Sequence, residues 1–356
     1  MSEPTDALER PLEASERTAE PTGAETPGRL HHALEAFKDN IEAFTVALIM
    51  ALVIKHFCIE AFKIPTGSMM PTLYGEKNSP EGIGDRILVD KWAYLLGGPE
   101  RWDVIVFRYP LNQSKHFIKR VAGLGGEQIK TVRGDLWVRT TDEEPWRIAT
   151  KRRRVRDELY LPVYPPAPDE YDEAPPPPVE KYWTVDAGGA WTVVDYQTLR
   201  FAGGAEAPVV FEKRIGRSTG PTSHSMSGDG DLVRDVRVVL RATAAAGAAL
   251  TLSWRASEEH ATTARLATPQ APRGSRVSTW TSDGQELAAP VDRKLVPDRA
   301  TEIELECVDG EVYLHVDGEE IAHLGEARTL DDIRDIQDYM QELALIGDGG
   351  AVDVTD

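Results

Sequence analysis

The stretch WDVIVFRYPLNQSKHFIKRVAG, residues 102–123, holds two short runs of β-branched and aromatic residues on either side of a polar tract. Runs of that length and composition are strands. DRILVDKW ahead of it (85–92) and EQIKTVRGDLWVRT behind it (127–140) read the same way, with glycine-containing turns between them. The region from Ile64 to about Val138 is therefore expected to be an all-β unit.

Toward the N-terminus stands IEAFTVALIMALVIKHFCIEAFKIP, residues 41–65. Its charge-free core, Ala43 to Ile54, is short enough for a buried soluble helix. Counted from Ile41 to Phe62 it reaches 22 residues, enough to span a bilayer at about 1.5 Å per residue. Lys55 and Glu60 near the far end could snorkel outward. A transmembrane helix over 41–62 is the reading adopted, with the lipid bilayer as a partner. The flanking charges are nearly balanced and do not orient it. Residues 1–29, rich in Glu, Pro, Thr and Ala, cannot bury enough apolar surface to fold, and 1–40 is assigned to a disordered tail.

On the C-terminal side the basic run KRRRVR (151–156) and the prolines at 175–178 mark a loose crossing. The run reads as a solvated face, and 161–182 as a Pro-rich linker. A second β-rich region, 183–356, includes TEIELECVDGEVYLHVDGEEIA, where Asp309-Gly310 turns a hairpin. Its strand pattern is expected to give a β-sandwich of the concanavalin or laminin-G type. Ile333, Ile336, Met340 and Leu343 recur at helical spacing, predicting a helix over 331–345.

A net charge of −19 argues against a nucleic-acid partner, which rewards clustered Lys and Arg. Two cysteines, Cys58 and Cys307, make neither a disulfide framework nor a thiolate metal site. No HExxH, CxxC or P-loop string occurs, and no cofactor is expected.

The apolar helix is followed by IPTGSMMPTL. Pro65 and Pro71 fix the backbone on either side, while Gly67 permits unusual dihedrals beside Ser68. Such a serine is a nucleophile or a plain turn serine. A nucleophile needs a base, and HFIKRVAG offers His116 or Lys119. Strand periodicity puts Phe117, Lys119 and Val121 on one face and His116, Ile118 and Arg120 on the other. Apolar neighbours on its own face would strip water from Lys119 and favour the neutral amine that a base requires. Trp92, Tyr94, Leu95 and Leu96 form an apolar run that is either core or a dip into the membrane interface.

Four segments resemble, in order, the boxes of bacterial type I signal peptidases. They are Pro65 to Leu73, with Thr66 where the family has serine; Gly84 to Lys91; Arg101 to Phe107; and Lys119 to Glu127. The resemblance covers about residues 41–140. It implies a signal-peptidase catalytic fold over 63–160, anchored by the helix in the cytoplasmic membrane, with the tail cytoplasmic and the catalytic domain outside. Ser68 then becomes the nucleophile and Lys119 the general base. Thr66 takes the place of the hydroxyl that forms the oxyanion hole with the Ser68 amide, and Met69 lines the substrate pocket or the core. The partners implied are the signal peptides of preproteins.

The family's last box, G-D-N-R-x-x-S-x-D-S-R, is not found. The 183–356 region is expected to interrupt the catalytic fold, with that box beyond Asp356. A second reading stays open: a membrane-anchored, non-catalytic binder whose sandwich takes a glycan or protein ligand.

Overall fold

The computed structural model describes residues 28–77, 79, 82–95, 97–132, 134–161, 182–185, 189–195, 197–211, 235–255, 261–280, 286–325 and 342–355, with side chains from Phe37 onward. The chain divides into two compact units, Met1–Glu60 with Asp90–Trp92, and Ala61–Val89 with Ala93–Asp356.

In the first unit, α1 (Gly28–Val53) continues through one π-helical turn, Ile54–Cys58. Residues 37–58 are long and apolar enough to cross a membrane, about 33 Å at helical rise. Phe37, Phe44, Leu48, Met50, Leu52 and Phe57 all lie exposed along it. A helix apolar on every side fits lipid and not water. The expected bounds of 41–62 need correction, because the helix begins at Gly28 and ends at Cys58. Ile59 to Phe62 belong instead to a strand whose alternation IEAFK suits pairing. Residues 28–40, expected as disordered tail, are helical, and the rest of that tail lies outside the described residues.

The region that follows the helix is built of small antiparallel sheets. β1 (Ile59–Lys63) pairs with β2 (Arg86–Asp90), and β3 (Val104–Tyr109) with β4 (Asn112–Arg120). β5 (Gln128–Val132), β6 (Asp135–Arg139) and β7 (Arg147–Ile148) form a third sheet, closed over the fully buried Trp137. A short helix follows, α2 (Arg153–Leu159).

The later region supplies the strands β8 (Trp183–Thr184), β9 (Trp191–Val193), β10 (Thr198–Phe201), β11 (Gly204–Phe211), β12 (Val236–Ala244), β13 (Ala249–Arg255) and β14 (Ala261–Ala267). After them come β15 (Arg276–Trp280), β16 (Glu286–Pro290), β17 (Ala300–Val308), β18 (Glu311–Val316), β19 (Glu319–Gly325), β20 (Glu342–Gly349) and β21 (Val352–Thr355). Two seven-stranded sheets result, ordered β19-β18-β17-β12-β21-β10-β9 and β16-β15-β14-β13-β20-β11-β8. Leu240, Ile303, Leu305 and Leu314 of the first share one core with Leu250, Leu252, Leu266 and Leu345 of the second. This is the expected sandwich. Asp309 and Gly310 take φ of 52° and 80° in the β17–β18 turn, the left-handed pair that joins twisted strands tightly.

The helix expected over 331–345 is not formed at its end. Leu343 and Leu345 lie in β20, which pairs with β11 on one side and β13 on the other. Two flanking strands outweigh a helical spacing, and the remainder of that segment lies outside the described residues. The linker 161–182 is also outside them, except for its two ends. Neither Cys58 nor Cys307 is in a disulfide.

The run KRRRVR is the largest departure from the solvated face expected of it. Arg152, Arg153 and Arg154 are exposed and Arg156 is buried, but Arg153 and Arg156, three apart on one helical face, both turn onto the outer face of β17. Arg156 donates through Nε and Nη2 to both oxygens of Glu306, at 2.9 and 3.0 Å, and both side chains are buried. Arg153 donates to Glu304 at 2.8 Å, and the Arg156 guanidinium stacks on Tyr313 at 4.3 Å. β17 is thus covered on both faces, by the apolar core on one and by α2 on the other. The sandwich face that carries Glu304, Glu306 and His315 is occupied by this chain's own helix.

Candidate active site

Ser68 sits in the loop between β1 and β2, and the loop is tied at its base. Ile64 N–H donates to Asp85 O at 2.8 Å, and Glu76 N–H to Ile64 O at 3.2 Å. Asp85 N–H bonds Tyr74 O, while the Asp85 carboxylate accepts the Tyr74 N–H at 2.7 Å. Buried Ile64 and Met69 anchor the loop underneath, so Met69 stands on the core side of the two readings left for it. Thr66 and Ser68 stay exposed on top.

Two glycines make this packing possible. A Cβ on Gly75 would lie 2.3 Å from the Thr66 carbonyl carbon, and one on Gly84 would lie 2.2 Å from Ile64 O. Both obstacles are backbone, which cannot rotate away. Gly75→Ala is therefore expected to displace the Thr66–Ser68 segment. If Ser68 is a nucleophile, a shift of about 1 Å costs about a hundredfold in turnover, so steady-state kinetics should show that fall with the sandwich melting unchanged.

Lys119 reaches this loop from β4, where it pairs with Ile105. Its Nζ donates to Ser68 Oγ at 2.7 Å and to Ile118 O at 2.8 Å. His116, on the other face of the strand, packs its ring against Phe62 with centroids 5.1 Å apart. Of the two candidate bases, Lys119 is the one brought to Ser68. The dry surroundings expected for Lys119 are not formed among the described residues, where its side chain is exposed. Phe117 on the same face stacks on Tyr109 instead, at 4.7 Å.

Sequence reasoning gave no role to Arg120, which has three acceptors. It donates to Trp102 O at 2.8 Å, Thr72 Oγ1 at 2.7 Å and Glu158 Oε2 at 2.9 Å. Its position directly after the candidate base was the one available signal. Past β4, Glu127 accepts from the Leu124 N–H at 2.8 Å and pairs with Arg101. Burial pushes the Glu127 carboxyl up, but those two partners hold it below the usual carboxylate range.

Asp135, Asp235 and Asp309 bring carboxylate oxygens within 4.8 Å of one another, the one metal-like cluster among the described residues. Lys151 fills it, paired with Asp309 and 3.7 Å from Asp235. Burial pulls the Lys151 ammonium down, yet the carboxylates outweigh it and hold the pKa above the ordinary lysine value. A permanent ammonium among the carboxylates competes with any cation there.

Trp92, Tyr94 and Leu95 are exposed, against the core reading of that run, while Leu96 lies outside the described residues. Trp92 Nε1–H donates to Phe57 O at 2.7 Å, in the last turn of the apolar helix.

Residues 37–196 match the sequence model of a family described as signal peptidase, peptidase S26. Signal peptidase I of Pseudomonas aeruginosa is 40% identical over 101 residues, 25% of this chain and 33% of that protein. The Aquifex aeolicus signal peptidase I is 40% identical over 93 residues, 26% of this chain and 33% of that one. For Rickettsia typhi the figures are 31% over 125 residues, 32% of this chain and 47% of the relative. The chain thus spans between a third and a half of the length of these curated relatives. Among solved structures, the carbohydrate-binding module CBM66 from Bacillus subtilis is 12% identical with a TM-score of 0.30, covering 49% of this chain and 95% of the module. Galectin LEC-6 of Caenorhabditis elegans is 10% identical with a TM-score of 0.26, covering 44% and 94%.

Proposed function

The chain belongs, through residues 37–196, to the type I signal peptidase family, and from that premise we propose that it is a membrane-anchored serine endopeptidase removing signal peptides from exported proteins. The observation that carries the reading is the 2.7 Å bond between Lys119 Nζ and Ser68 Oγ, on segments that match the family's boxes. A binder built on a decayed peptidase has no use for that juxtaposition.

In the proposed mechanism Lys119 takes the proton of Ser68 as Oγ attacks the scissile carbonyl carbon. The carbonyl π bond becomes the C–O⁻ of a tetrahedral intermediate. The Ser68 N–H and the Thr66 hydroxyl stabilise that oxyanion. Its collapse expels the amine, which takes the proton from Lys119. Water, deprotonated by the same lysine, then attacks the acyl carbon, and the bond to Ser68 Oγ breaks as Lys119 returns the proton to Oγ. Substrates would carry small residues before the scissile bond.

The helix 37–58 anchors the chain in the bilayer, and the catalytic part lies on the extracytoplasmic side. Exposed Trp92, held to the end of that helix, fits the headgroup level, where indoles are favoured. Confinement to the membrane replaces a three-dimensional search for an anchored substrate.

The test is cleavage of a purified preprotein by the full chain in liposomes. The parent should cleave at one site, and Ser68→Ala should not cleave at all while inserting and melting like the parent. Equal cleavage by both proteins, or by neither, would remove the reading. Thr66 has its own test. Thr66→Val keeps the shape and deletes the hydroxyl, so kcat should fall about 10²–10³-fold, with Thr66→Ser near the parent. A Thr66→Val enzyme at parental kcat would take Thr66 out of the mechanism.

A further inference from the structure

We infer that the β-sandwich backs the Ser68–Lys119 site through α2, and that Glu158 is a positioning residue acting on the site by way of Arg120; this rests on the peptidase reading above.

Arg120 follows Lys119 on β4 and so projects from the opposite face of the strand. Its guanidinium joins three segments that are far apart in sequence. Thr72 lies four residues beyond Ser68 in the nucleophile loop, Trp102 precedes β3, and Glu158 stands at the end of α2. Only Glu158 is charged, and a charge-assisted bond is about twice as strong as a neutral one. Removing it leaves a half-buried guanidinium without its counter-charge, free to turn away from Thr72. The Ser68 loop would lose this tether to β4.

Glu158 is only as well placed as α2, and a seven-residue helix does not persist alone in water. No side chain caps its N-terminus. The sandwich holds it through Arg156–Glu306, Arg153–Glu304 and Asp157–Arg237, the last at 2.6 Å, with Lys151–Asp309 just ahead of it. Helical geometry divides the labour. Residues 153, 156 and 157 occupy one arc and meet the sandwich, while 154 and 158 occupy the next and meet each other, and Glu158 alone of these two meets Arg120. Exposed Arg154 lies 3.7 Å from Glu158, too loose and too wet to replace Arg120 as its partner. A continuous set of contacts therefore runs from β17 through α2 and Arg120 to the nucleophile loop.

The experiment measures kcat, KM and melting temperature for full-length protein in liposomes with a preprotein substrate. Glu158→Gln should lower kcat about 10- to 100-fold, leave KM within about twofold, and leave melting unchanged. Glu158→Asp should recover part of the rate. Thr72→Val should lower kcat alone, and adding Glu158→Gln to it should cost little more, since both act through Arg120. A Glu158→Gln enzyme at parental kcat overturns the inference. So does a loss that tracks lowered melting, or one that adds fully to Thr72→Val. If the parent cleaves and Ser68→Ala does not, such a failure touches Glu158 alone. If the parent does not cleave, the peptidase reading fails and this inference fails with it.

Discussion

Lys119→Ala is expected to lower kcat for preprotein cleavage about 10²–10⁴-fold, the usual contribution of a positioned general base. Lys119→Arg should be as inactive. Arginine keeps the charge and can still donate to Ser68 Oγ, but its guanidinium does not give up a proton and so cannot accept one. This pair separates a base from a lysine that merely holds the serine in place, because a holding role would survive in Lys119→Arg. His116→Ala should keep most of the activity, since its ring packs on Phe62 and not on Ser68. Rates of single-turnover cleavage at saturating enzyme read the chemical step directly. A dead His116→Ala beside an active Lys119→Ala would reverse the assignment.

What the sequence disclosed about this site was local. Gly67-Ser68 between two prolines, and the alternation that separates Lys119 from His116, are readable because a loop and a strand obey short-range rules. The helix of 37–58 and the Asp309-Gly310 hairpin were legible for the same reason. The surroundings of Lys119 were not legible. Alternation tells which face a residue takes, not what lies above that face, and the described residues leave it exposed. The role of KRRRVR was hidden too. Its partners Glu304 and Glu306 follow about 150 residues later, and nothing within the run distinguishes the arginines that will pair with β17 from those that do not. Glu306 itself looks like the outward residue of an alternating strand, and becomes buried only when α2 lands on it. The spacing at 331–345 misled because Leu343 belongs to a strand fixed by β11 and β13, whose residues lie about 90 or more positions earlier.

Glu306→Ala is expected to destabilise the sandwich by about 3–5 kcal/mol, a fall in melting temperature of about 10 °C. Glu306 accepts from Arg156 at 2.9 and 3.0 Å and from Arg237 at 2.9 Å, and its side chain has no exposed surface. Truncation leaves the nearly buried Arg156 guanidinium without its counter-charge and strips Arg237 of one partner, leaving it Asp157 and Glu304. The cost is theirs more than that of the lost bonds. Acid should do the same more gradually. Burial alone would push the Glu306 carboxyl up, but Arg156 and Arg237 outweigh it and hold it below its ordinary value near 4.5. A carboxyl lowered on folding stabilises fully above its unfolded value, and that contribution disappears as pH falls through the folded value. His315 starts the decline earlier. Burial first, and then the Arg153 charge, outweigh Glu304 and hold its imidazole below the ordinary 6.5. The unfolded chain therefore takes up that proton first, and stability begins to fall as pH drops below about 6.5. Calorimetric melting from pH 8 down to about 2 should show both steps. Glu306→Gln should lower the curve at neutral pH and flatten its most acidic part, while His315→Gln should flatten the earlier part alone. A Glu306→Ala protein melting within a degree or two of the parent would mean that water reaches the two arginines, and that α2 is held by its other pairs.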